Sequence, residues 1–179
     1  MRKSANFAAR PCAAIVFGAL VSTASATHPT CEPQEFHLRL RFEETIVFTG
    51  VSPCFAAATL TGRGSATHLG VVSASSQDCI NPNGAFDPGA PASNSFAFVS
   101  QPAPMRIIAS NGDQLFMTYS GQLTARVDRP HRIRGHFVIT GGTGRYAQAT
   151  GGGILTGRQD ISQVVSGRGE VVAEGAISY

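Results

Sequence analysis

Residues 135–157, GHFVITGGTGRYAQATGGGILTG, hold eight of the chain's twenty glycines. A long helix cannot run through such a stretch, because each interior glycine costs a helix about 1 kcal/mol. What the stretch can do is join two strands through a tight turn. Ile133, Gly135, Phe137 and Ile139 share one face of a strand over residues 133–140, and residues 150–158 resume in the same style. The period of two is that of a half-buried strand.

The rest of the chain follows suit. Over residues 36–43, Phe36, Leu38, Leu40 and Phe42 alternate with His37, Arg39, Arg41 and Glu43. Residues 45–48 suit a second short strand, and residues 54–75 are mostly strand. There Gly62, Gly64, Ala66, His68, Gly70, Val72 and Ala74 form one face of mostly small residues. Such a face marks close approach by large neighbours or a bend in a sheet. Residues 77–104 hold five of the ten prolines and read as a long loop, with a strand at 96–99. Residues 105–110 and 114–124 form a hairpin around Asn111-Gly112, a pair suited to a type I′ turn. Residues 168–178 supply the last strand.

No ten-residue stretch repeats apolar positions at helical spacing. The nearest approach is residues 143–148, TGRYAQ, where Thr143 could cap a single turn. About eight strands without long helices give an all-β fold. Glycines at so many strand positions favour a closed antiparallel barrel over a sandwich, because curling strands need kinks.

Before this fold, Arg2, Lys3 and Arg10, a short apolar run at 13–21 and Ala24-Ser25-Ala26 compose a secretory signal at residues 1–26. Residues 27–34 then form an N-terminal arm and 35–179 the barrel domain, exported to a periplasmic or extracellular site. No apolar run reaches the ~20 residues of a membrane-spanning helix. Beyond the signal, eleven arginines face eleven acids with no lysine, so the net charge falls to zero. Nucleic acid as a partner loses its electrostatic basis. Three cysteines remain, Cys31, Cys54 and Cys79, and an oxidising compartment favours one pair. Cys54 with Cys79 is preferred because both flank one strand-rich segment. Cys31 could instead pair with Cys54, with another chain or with nothing.

Three further segments carry a family likeness. Residues 64–70 (GSATHLG), 111–116 (NGDQLF) and 141–147 (GGTGRYA), with Ala149-Thr150-Gly151, resemble bacterial secreted proteins similar to the allene oxide cyclase and dirigent barrels. The resemblance implies an eight-stranded antiparallel barrel with a hydrophobic lumen, often in homo-oligomers. Some such proteins cyclise or couple small apolar molecules without a cofactor. The matching residues are turn and packing residues, and no acid, tyrosine or arginine matches the catalytic residues of either enzyme group. Fold therefore transfers further than activity.

Several motifs invite other chemistry. Gly141, Gly144 and Ala147, with Asp160 downstream, mimic a dinucleotide site, but that site needs a following helix, which the glycines at 151–153 forbid. His37, His68 and His136 lack the spacing of metal ligands, and His68 reads as a packed histidine bonded to backbone. No G-x-S-x-G elbow is present. The rows His37/Arg39/Arg41 and Arg132/Arg134/His136 read as outer faces balanced by Glu43, Glu170 and Glu174. Tyr119 and Tyr146 are the candidates for chemistry, each also suited to plug a core with its hydroxyl satisfied.

The expectation is an exported soluble barrel that binds a small apolar ligand. Its lumen would be lined by Phe42, Leu115, Met117, Tyr119, Phe137 and Ile139, with no metal and no cofactor. Two alternatives are a cofactor-independent cyclase or isomerase and a small outer-membrane barrel. The last is disfavoured by the absence of tryptophan and by the polar strand faces.

Overall fold

The computed structural model describes residues 32–163 and 165–179. The expected signal and Cys31 lie outside the described residues. Nine strand segments follow in chain order: β1 (Gln34–Val51), β2 (Cys54–Ala66), β3 (Gly70–Pro82), β4 (Phe96–Ser100), β5 (Met105–Ala109), β6 (Gln114–Thr124), β7 (His131–Gly142), β8 (Thr150–Gln163) and β9 (Ser166–Ser178). All pair antiparallel. β1 lies between β2 and β9, and the order continues through β8, β7 and β6. Between β6 and β3 the wall is shared by two short segments laid end to end. β4 pairs with residues 78–82 of β3 and 120–123 of β6, and β5 with residues 72–75 and 114–117. Nine segments thus make eight staves of a closed barrel.

Four sequence expectations are corrected. Residues 36–43 and 45–48 belong to one continuous β1, whose Glu44 pairs with Leu60 on one side and Gly167 on the other. Residues 54–75 are divided by a hairpin turn in which His68 sits at φ +67°. His68 is therefore an exposed turn residue and not a packed strand one, although its Nε2 does donate to the Glu35 carbonyl at 3.0 Å. The loop placed at 77–104 begins only after Pro82, because β3 continues to its pairing with β4. The hairpin around Asn111-Gly112 is present, but of the two only Gly112 has a positive φ, +88°. A type I′ turn requires both.

The outer faces of β1, β8 and β9 are charged. Glu170 lies 3.0 Å from Arg158 and 3.5 Å from Arg39, and His37 lies 3.7 Å from Glu174. Exposed pairs like these add at most about 1 kcal/mol each. They are the reverse of the apolar belt that a lipid-facing barrel presents. Cys54 and Cys79 form a disulfide, which ties the start of β2 to the end of β3. That bond fits an oxidising compartment.

The two ends of the barrel are filled differently. At one end Phe36, Leu115, Phe137, Ile139, Tyr146 and Ile177 are all at most 2% exposed and pack solidly. The glycine stretch builds the stopper here. Gly144, at φ +56°, opens one 3-10 turn, Gly144–Tyr146, and the turn drives the Tyr146 ring inward. Its hydroxyl donates to the His68 carbonyl at 2.7 Å, and its ring lies 4.8 Å from that of Tyr179. Thr143 does not cap the turn; its hydroxyl accepts the Gln114 N–H at 2.9 Å instead. No helix follows and no parallel strands flank the turn, so the dinucleotide reading has no structural basis.

Elsewhere inward glycines let the wall coil tightly. Gly121 on β6 faces Gly135 on β7, and a Cβ on Gly121 would lie 2.7 Å from Phe98 Cζ and 2.8 Å from Gly135 Cα. Gly121→Ala should therefore destabilise the barrel by about 1–3 kcal/mol in denaturant unfolding. Gly89→Ala, in the exposed loop, should stay within about 0.5 kcal/mol.

Candidate functional site

At the other end the inward rows do not meet. They leave an apolar cavity of about 70 Å³. Its aromatic wall comes from Phe42, Phe48, Phe86, Phe96 and Phe98, and aliphatic side chains such as Leu123, Ile133 and Leu155 complete it. The cavity reaches the surface beside exposed Gln163 and half-buried Ile46 and Phe48. Over this mouth lies the loop of residues 83–95. Phe86 enters from the loop, its ring 5.1 Å from those of Phe48 and Phe55. The loop is held by Asn94, whose amide donates to the Asp87 carbonyl at 2.8 Å and whose carbonyl accepts from His131 Nε2 at 2.9 Å.

Polar groups project into this apolar space. On β1 the apolar row Phe36, Leu38, Leu40, Phe42 continues with Glu44, 7% exposed. On β3 the inward row includes Ser76 and Asp78, the latter 5% exposed, and β6 and β8 contribute Tyr119 and Gln159. The Tyr119 hydroxyl lies 2.5 Å from Asp78 Oδ1 and 2.9 Å from Ser76 Oγ, and Ser76 Oγ donates to the same Asp78 oxygen at 2.9 Å. The Gln159 amide donates to Glu44 Oε2. A Cβ on Gly167 would run into Gln159 Nε2 and come within 3.2 Å of Ile161 Cγ2 and 3.3 Å of that oxygen, which is the steric reason for glycine beneath the pair.

Among the described residues neither carboxyl has a cationic partner on the cavity wall. Burial, and next the charge of Asp78, push Glu44 from the usual 4.5 up to about 7, opposed by the Gln159 hydrogen bond. Burial likewise pushes Asp78 from 3.8 up to about 6, against the hydrogen bonds from Tyr119 and Ser76. Tyr119 is held well above the ordinary phenol range by burial and then by Asp78. This set can therefore hold one proton near neutrality and give or take it within an apolar space.

Of the lumen residues expected from sequence, Phe42, Met117 and Tyr119 border the cavity. Leu115, Phe137 and Ile139 face inward too, yet they lie in the packed end, where they contribute to the stopper. Tyr146 also belongs to that end. Burial raises its pKa, but it lies away from the carboxyl pair, so of the two candidate tyrosines only Tyr119 stands in the cavity. Glu44, Asp78, Ser76 and Gln159 were not singled out by sequence. The signal that could have found Glu44 and Gln159 is parity, since each continues an inward row by one step. Among the described residues no three His, Cys, Asp or Glu gather as metal ligands, and His37, His68 and His136 lie apart on β1, in a turn and on β7.

No family model matches the chain, and no curated protein matches it. Among solved structures it is similar to a pterocarpan synthase dirigent protein, at 11% identity and a TM-score of 0.44, over 92% of this chain and 99% of that one. That likeness carries no substrate across. The barrel stands on its own strand pairing.

The raised carboxyl values have a consequence for stability. Between about pH 4 and pH 7 the folded protein holds protons that the unfolded chain has released. Stability attached to these groups is therefore full in acid and lost as pH rises through the folded values. Each group accounts for about 3 kcal/mol at most. Unfolding free energy should fall by a few kcal/mol from pH 5 to pH 8, and Glu44→Gln should remove roughly two-thirds of that fall. A native profile flat over this range would contradict the assignment.

Proposed function

We propose that the open end of the barrel binds a small, largely apolar molecule and presents the carboxyl groups of Glu44 and Asp78 to it. The observation that carries this reading is the cavity itself, apolar on nearly every side with two buried acids on its wall. Pockets of this build take their affinity from apolar contact and their orientation from a few polar groups. The cavity holds roughly five water-sized positions, enough for a small ring or a short chain. A longer molecule would project past Gln163. The resemblance of the residue 141–147 turn to the allene oxide cyclase and dirigent barrels fits this reading, as does export by the segment at 1–26.

A second reading has its own support. Carboxyls at about 7 and about 6 are matched to proton transfer near neutral pH. The protonated acid would give its proton to the bound molecule while the ionised one takes a proton from a neighbouring atom. The net result is an isomerisation or ring closure with no change in oxidation state and no cofactor. Tyr119 would hold Asp78 in position. This is the cyclase or isomerase alternative, now attached to named acids.

Toluene tests the binding site directly. It should shift the amide resonances of Leu123, Ile133 and Leu155 in a saturable titration. Ala56→Phe, which fills the cavity from β2, should abolish the shifts while the sheet signal in circular dichroism is retained. Unchanged spectra in the native protein, or equal shifts in Ala56→Phe, would overturn the proposal.

A further inference from the structure

The carboxyl pair is buried without a cation, and that omission says something about the ligand. Among the described residues every donor to it is neutral: the Gln159 amide to Glu44, and the hydroxyls of Tyr119 and Ser76 to Asp78. The cavity wall, among the described residues, includes no arginine or histidine. From β9, Gly167 pairs with Glu44 and Val171 lines the same cavity, and neither carries a charge. His131 on β7 is buried at the same end but does not line the cavity. Its Nε2 donates to the Asn94 carbonyl, and burial lowers its pKa, so it is not the missing charge. Two desolvated acids without a counter-ion are costly, and an incoming positive charge relieves both the desolvation and their mutual repulsion.

The rest of the wall favours the same partner. Phe42, Phe48, Phe86, Phe96 and Phe98 ring the space. Phenylalanine faces attract an organic cation by about 0.5–2 kcal/mol per contact, more when water is excluded. They also take up the hydrocarbon body that the ammonium is attached to.

We infer that the cavity selects an apolar amine, bound as its ammonium between Glu44 and Asp78 with its hydrocarbon part against the phenylalanines. This rests on the binding reading above and names its ligand class. A neutral alcohol of the same shape makes the apolar contacts but leaves one acid protonated. The ammonium instead holds both acids as carboxylates and expels the proton that one of them carries without it.

A matched series separates the two claims: toluene, benzyl alcohol and benzylamine, titrated by calorimetry at pH 7.5 into the native protein, Glu44→Gln and Asp78→Asn. The inference expects benzylamine to bind at least ten times more tightly than benzyl alcohol. That ratio should fall below about threefold in either variant, whose fold is checked by circular dichroism. At pH 6.5, titrations in buffers of different ionisation heat should show proton release with benzylamine and none with benzyl alcohol. If toluene and the alcohol bind but the amine binds no better, the amine inference is wrong and the apolar binding site stands. If the amine's advantage survives in both variants, its charge is recognised elsewhere and the inference is likewise wrong. If none of the three binds, both readings fall.

Discussion

An inward-facing carboxyl on a strand has no route to water once the sheet closes around it. β1 is paired along nearly its whole length with β2 and β9, so Glu44 cannot turn out through the wall. Asp78 is held in the same way between β2 and β4. The charged form of each is destabilised by its surroundings, and protonation near neutral pH is the outcome. Closure, burial and proton affinity form one chain of cause. The site follows from placing acids on the inner face of a barrel whose interior is mostly apolar.

The barrel can carry this cost because its other end is built for packing. Tyr146, Phe36, Phe137 and Ile177 fill that end, and the hydroxyl of Tyr146 is satisfied by backbone. Eight strands enclose a space that side chains are just able to fill. Here they fill it at one end and fall short at the other, where small Ala56 and Ala58 face the interior of β2 and the large side chains come from the mouth. The disulfide and the Asn94–His131 contact steady the mouth from two sides. A solid floor and a tethered rim are what a pocket needs to keep its shape.

Much of the architecture was legible in the residues. Alternation located the strands, and glycine density correctly favoured a closed barrel over a sandwich. The turn at Gly144 was readable because a glycine run cannot extend a helix. The Cys54–Cys79 pair was readable because both cysteines flank one strand-rich segment. The site was far less visible, and for a physical reason. Glu44, Asp78 and Gln159 are the residues that break the apolar alternation, so the pattern ends each strand just where the site begins. Glu44 falls in the gap between stretches ending at Glu43 and starting at Thr45. By alternation the strand before Gln159 ends at Arg158, and Asp78 falls in the proline-rich stretch that reads as a loop. Depth along the barrel was hidden too. Met117 and Leu115 are neighbours on one face, but only strand register shows that Met117 borders the cavity and Leu115 does not.

The measurement that tests this account most directly is a carboxyl-detected carbon NMR titration of the native protein with Glu44 and Asp78 assigned. The account predicts two coupled transitions, with apparent values near 6 and 7. It also predicts that replacing Asp78 with asparagine lowers the Glu44 transition, because the charge of Asp78 is, after burial, what raises it. Both carboxyls titrating near pH 4 like solvated acids, and Glu44 unmoved by the change at Asp78, would contradict it.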